Sequence, residues 1–328
     1  MSTVPNNSKR RWNTTVTISG TPTIGSGKIL HGAGNGLVLS TTAGLTGNTS
    51  INMNATINQS VHVAGTSANV IGNTNVNLNA SNNLAIYGGG NGTGKVSLKS
   101  SVNINNGTYG TIYGGGQNNV SETSIIATGG QASYIYGGGI NANSVTTKSN
   151  VNIKGTKIIG MVCGAGGANS TTTTTNVTLT SSSATIPTVY GVWQTTTSQV
   201  TNANSKCKGA TITNIYGESA YGGNVEKTNV KVNSGTVSNI YGGNYNSGEI
   251  TQSTNITVNG GTISSAIYGG GNGSNSKVGS VTANATANIN IIKGSIRGNI
   301  YGGGYNSIVY GNTNINFGKD AVGDNSAT

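Results

Sequence analysis

The chain has 328 residues and a formal net charge of +11, from 17 basic and only 6 acidic side chains. Charged residues make up 7% of it, against about a quarter in ordinary soluble domains. No carboxylate side chain precedes Glu122, which argues against a Ca²⁺ cage of acidic oxygens and against a facing acid pair for glycoside hydrolysis.

In chain order, residues 1–13 come first, with Lys9, Arg10, Arg11 and Trp12. They lack the apolar stretch of a secretion signal and read as a cap or leader. Residues 14–317 then repeat two short patterns. The first is [TS]-[NST]-[VI]-x-[VIL], with anchors Val16, Ile51, Val76, Val102, Ile125, Val151, Val177, Val230, Ile256, Ile289 and Ile315; Ala203 holds a weakened copy. The second is an aliphatic-tyrosine dyad followed by glycine. Its tyrosines are Tyr87, Tyr113, Tyr136, Tyr190, Tyr216, Tyr241, Tyr268 and Tyr301, and His31, His62 and Cys163 occupy the same slot. Most spacings between dyads lie between 23 and 27 residues; the first is 31 and the last 33. A fainter aliphatic column, Val70, Val96, Val120, Val145, Val225, Ile250 and Val309, precedes the anchors. Residues 318–328 read as an incomplete terminal coil or tail.

A fixed period of this size is the mark of a solenoid. Alternating β-branched residues between glycine or asparagine corners indicate three short strands per turn, and apolar faces at helical spacing are missing. The expected fold is all-β: a single-stranded parallel β-helix of about 12 coils of ~26 residues. Each coil packs only on its neighbours, so a chain of this length need not divide into domains.

Alternation gives the side chains roles. The anchors face inward, so the Asn and Thr residues flanking them face outward and stack along the rod as amide ladders. The dyad's aliphatic residue is core, which turns the tyrosine outward. Stacked tyrosines then either pin the corner or form a strip suited to sugar rings. Tyr87, Tyr113, Tyr136, Tyr190, Tyr216, Tyr241, Tyr268 and Tyr301 are therefore the candidate ligand-binding residues.

Other signals are weaker. The glycine runs lack the G-x-x-x-x-G-K-[ST] context of a phosphate loop and read as corners. Lys99, Lys148 and Lys227 each precede an anchor by three residues, which either attracts anionic polymers or serves solubility. Cys163 and Cys207 sit at different offsets, so no disulfide is expected. The six acids occupy unrelated offsets, although Glu226 and Glu249 fall on neighbouring coils. No catalytic group, metal site or cofactor is expected, and no run of about 20 apolar residues exists to span a membrane.

At the Ile-Tyr-Gly-Gly-Gly dyads and the Asn259-Gly260-Gly261-Thr262-Ile263 corner, the chain resembles the repeat regions of large bacterial cell-surface adhesin-like proteins. The resemblance covers residues 13–317. It implies a right-handed solenoid, extracellular or wall-associated, acting as a stalk or a surface that contacts cell-surface or mucosal glycans. Self-association end to end, or within a longer parent chain, is the other expected partnership; sequence-specific nucleic-acid binding is not expected. A phage or virion tail fibre and an ice-binding solenoid are the alternatives.

Overall fold

The computed structural model describes residues 13–22, 28–32, 45–66, 69–142, 144–167, 169–181, 184–193 and 199–323. The leader assigned to residues 1–13 lies outside these except for Asn13, as do residues 324–328. The described chain is all-β, and every strand pairing in it is parallel. No helix among the described residues is long and apolar enough to cross a membrane.

The coils stack in the expected register. Val16, Ile51, Val76, Val102, Ile125, Val151 and Val177 form one in-register column that continues through Val230, Ile256, Ile289 and Ile315. The weakened rung differs from expectation. Ser205, not Ala203, stands between Val177 and Val230, and Ala203 lies two residues earlier beside Thr175 and Thr228. Val145 also leaves its column. Thr146 takes the place beside Val120 and is buried, while Val145 is exposed. In the central coils the three short strands join into longer bent ones, such as Val96–Ile104, Gln199–Tyr216 and Asn224–Tyr241. Register shifts at Val120/Glu122, Val225/Lys227 and Ala132/Tyr134 take up the bends, so the backbone stays extended round a corner that was expected to break it. A glycine still turns the second corner, at Gly235 inside Asn224–Tyr241 and at Gly261 before Thr262–Tyr268, with φ of 92° and 81°, where a side chain is disfavoured.

The interior contains two kinds of apolar cluster. The main one holds the anchors, the residues two places beyond them (Leu78, Ile104, Ile153, Leu179, Val232, Val258) and the dyad aliphatics. Each fully buried Val, Leu or Ile contributes roughly 1.5–3 kcal/mol. The second gathers Tyr190, Tyr216 and Tyr241 with Val200, Val225, Ile250 and Val278, and a smaller cluster of Ala64, Val70, Val96 and Val120 holds the earlier part of the same column.

A line of buried hydrogen bonds, the waist of each coil, ties the anchor strand to the dyad strand. The ladder between coils steps over one carbonyl per turn. Gly217 N–H bonds to Tyr241 O and Glu218 N–H to Gly243 O, passing by Gly242 O. The hydroxyl two residues before the anchor fills that vacancy: Thr228 donates to Gly242 O at 2.6 Å. Thr74, Ser100, Thr123, Thr175 and Thr254 repeat the bond at 2.5–2.7 Å. The glycine is required there because a Cβ would collide with the next coil. At Gly242 it would meet Gly269 O and the Thr254 side chain, and at Gly114 it would meet Gly137 O.

Candidate functional site

Each dyad ends a strand, so its ring falls directly over the ring of the coil before. His62, Tyr87, Tyr113 and Tyr136 stack face to face at 4.2–5.0 Å, and His31 adds a looser step at 5.7 Å. Tyr190, Tyr216, Tyr241, Tyr268 and Tyr301 form a second run at 4.7–5.2 Å, with planes within 15° of parallel. Cys163 interrupts the column. Trp193, reaching in from the following loop, spans the gap edge-on, 5.9 Å from Tyr136 and 5.3 Å from Tyr190.

Alternation does turn the tyrosines away from the main core. The glycine run then folds round that side, which corrects the expectation that they point into solvent. Tyr190, Tyr216 and Tyr241 are buried, Tyr87, Tyr113, Tyr136 and Tyr268 half-buried, and only Tyr301 is exposed. Burial raises the phenol pKa values of the buried and half-buried rings, that of Tyr113 to about 12 with help from Tyr87. With both faces covered by neighbours, the inner rings offer a ligand only edges. Besides Tyr134 and the end ring Tyr301, each 44% exposed, the open rings on the outer loops are Tyr221, Tyr245 and Tyr305, which are 46%, 39% and 59% exposed. They stand edge-on to Trp193, Tyr216 and Tyr268 respectively.

The amides are joined end to end. From Asn314 the ladder runs through Asn288, Asn255, Asn229, Asn204 and Asn176 to Asn150, each later Nδ2 donating to the earlier Oδ1 at 2.9–3.2 Å. Asn103, Asn77 and Asn52 form a parallel ladder at 2.7–2.9 Å. Asn204 thus belongs to the column before the anchor, as Ser205 requires, while Asn202 pairs with Thr174 and Lys227. Much of the amide hydrogen-bonding capacity is used within the rod.

The ionisable groups are scattered. Glu122 pairs with Lys99 at 3.6 Å, and Glu226 accepts from Gln252 at 3.1 Å. Glu218 is the anomaly. It stands in the glycine corner, one place after the waist glycine, fully buried, with neither carboxylate oxygen hydrogen-bonded. Burial, then the nearby charge of Glu249, pushes its pKa well up. His62 is buried beside His31, and desolvation followed by that neighbour's charge lowers its pKa to about 4. Cys163 and Cys207 are free and buried, and burial raises both thiols, so neither carries a reactive thiolate at neutral pH. Among the described residues no three His, Cys, Asp or Glu side chains gather as metal ligands would.

Trp193, Glu218 and the waist hydroxyls carry the least legible parts of this arrangement. The recurring Thr or Ser two places before most anchors was the one signal available for the hydroxyls. No protein-family model, curated protein or solved structure matches the chain.

Proposed function

We propose that this chain is a rigid, non-enzymatic rod of an extracellular surface protein, a stalk or adhesin segment whose outer loops contact glycans. The observation that carries the reading is the continuity of the ladders. The amide ladder runs unbroken from Asn150 to Asn314. The ring and waist-hydroxyl ladders repeat over most coils, the rings broken at Cys163 and the hydroxyls at Ser149, which is unbonded, Ala203 and Ala287. Such a molecule resists bending and holds whatever its loops display at fixed spacing.

For glycan contact the ladder tyrosines are poorly placed, and the exposed Tyr221, Tyr245 and Tyr305 are well placed. Asn272 lies between Tyr245 and Tyr305 in the stack, its N–H bonded to Asn244 O and its carbonyl accepting from Asn306 N–H. Aromatic rings two rungs apart suit a pyranose, whose C–H face stacks on them. Small-angle scattering of the purified chain should give a rod on the order of 55 Å long. A glycan array should show binding that Tyr245→Ala with Tyr305→Ala removes. A compact particle would contradict the rod, and unchanged glycan binding in that variant would move the contact elsewhere.

Fibre assembly is the second reading, favoured by one feature. Among the described residues the strand Thr313–Gly323 pairs on one side only, and Phe317 on it is 65% exposed.

A further inference from the structure

The outward positions beside the anchors carry Asn, Thr or Ser over most of the rod, and in one place charge replaces them. Lys206 and Lys231 lie directly opposite each other on adjacent coils, with Thr178 below and Thr257 above in the same column. Lys208 follows two residues after Lys206, and Lys227 precedes Lys231 on the next coil. Lys208, Lys227 and Lys231 are exposed and Lys206 is half-buried.

This is the only Lys–Lys register pair among the described residues. Several other lysines in register columns meet acids instead. Glu122 lies between Lys99 and Lys148 in register and bridges to Lys99, while Lys277 is in register with Glu249. None of the four lysines makes an ion pair among the described residues. The nearest acid in sequence, Glu226, bonds to Gln252.

Like charges placed directly opposite are destabilising in a sheet, and here they also replace the side chains that extend the neighbouring polar columns. A local cost kept inside an otherwise consistent repeat points to use. We propose that Lys206, Lys208, Lys227 and Lys231 form a binding patch for a linear acidic polysaccharide carrying sulfate or carboxylate groups. Lys206 and Lys231 stand about 4.8 Å apart along the rod, Lys227 about 13 Å before Lys231 on its strand, and Lys208 at the register shift where that strand face ends, a line over which an extended chain can lie. No aromatic side chain stands among them to stack a base, as single-stranded nucleic-acid sites require; their neighbours are Asn204, Asn229, Thr178 and Thr257. The patch is independent of the tyrosine loops and does not rest on the neutral-glycan reading above.

The test is fluorescence anisotropy with a labelled sulfated polysaccharide and, separately, a carboxylate-only polyuronate, at low and physiological salt. Lys206→Gln with Lys231→Gln should weaken binding roughly ten-fold and reduce the slope of log K against log salt by about 2. The same charge removed elsewhere, by Lys95→Gln with Lys277→Gln, should weaken it less than about two-fold. Relief of repulsion predicts that the Lys206/Lys231 variant melts no lower than the parent. Binding of either polymer with this variant dependence supports the patch, and the preferred arm identifies the anionic group. Equal losses in both variants would reduce the effect to net charge and overturn the proposal. So would absence of binding at low salt, or tighter binding to single-stranded DNA of matched charge.

Discussion

Glu218 and His62 are buried ionisable groups whose effects on stability run in opposite directions with pH. The folded chain holds Glu218 protonated above the pH at which an unfolded glutamate ionises, because burial and Glu249 raise its pKa. Its contribution is fully present below the unfolded pKa of about 4.5 and is lost as pH rises through the folded value. His62 is held neutral, its pKa lowered from 6.5 to about 4. Its contribution is present above 6.5 and lost as pH falls through 4, a loss of about 3 kcal/mol when complete. Glu218→Gln should therefore stabilise the rod at pH 8 by about 1–3 kcal/mol, the scale of a buried polar group without a partner, and by almost nothing at pH 4. His62→Tyr, which extends the ring stack toward His31, should remove the acid-side loss. Thermal melts of both variants between pH 4 and 8 check the signs; a Glu218→Gln gain that is larger at pH 4 than at pH 8 would contradict them.

The unit of this fold is one coil, and the waist is the part of it whose energetics can be isolated. Thr228 supplies the donor for Gly242 O, whereas at the coil before, Ala203 stands where that hydroxyl would be and Gly217 O is left without one. Thr228→Val keeps the shape and orphans a buried carbonyl, so it should cost about 1–3 kcal/mol. Ala203→Thr should gain about 1 kcal/mol by supplying the missing bond. Chemical denaturation of the two variants measures both, and a neutral Thr228→Val would show that the waist contributes no net stability. The same coil shows how far the sequence could be read. Anchors, dyads and amide ladders were legible because each places one residue type at one offset, and a strand's period of two then assigns its side. Ala203 and Ser205 share a parity, so alternation could not choose between them; only the pairing with Val177 and Val230 does. Alternation also gave the tyrosines' side correctly without revealing that the glycine loop encloses it. That enclosure depends on tertiary packing, as does the reach of Trp193 into the gap at Cys163. Glu218 was visible only as an acid in a glycine slot.

Across the whole molecule, stability is shared between neighbouring coils, so a rung paired on one side only among the described residues should be weaker than the inner ones. Among the described residues the strand Thr313–Gly323 pairs only with Thr286–Ile296, and Ile315 and Phe317 are 38% and 65% exposed where their counterparts Ile289 and Ile291 are buried. The amide ladder has a direction as well. Asn314 and Asn316 donate back to Asn288 and Asn290 at 2.9 Å, so the open face presents their Oδ1 acceptors beside the unpaired strand edge. Apolar side chains and acceptors in register form a template for one further parallel rung. Two consequences separate this picture from a capped end. Amides of residues 313–317 should exchange with solvent orders of magnitude faster than those of residues 224–241, whose strand is paired on both sides. Light scattering should show association that grows with concentration, and Phe317→Asp should suppress it by placing a charge on the face that a new rung must cover. Slow exchange of residues 313–317 together with a mass that stays monomeric at high concentration would show that the face is already covered. The rod would then be a closed spacer with no capacity to extend itself.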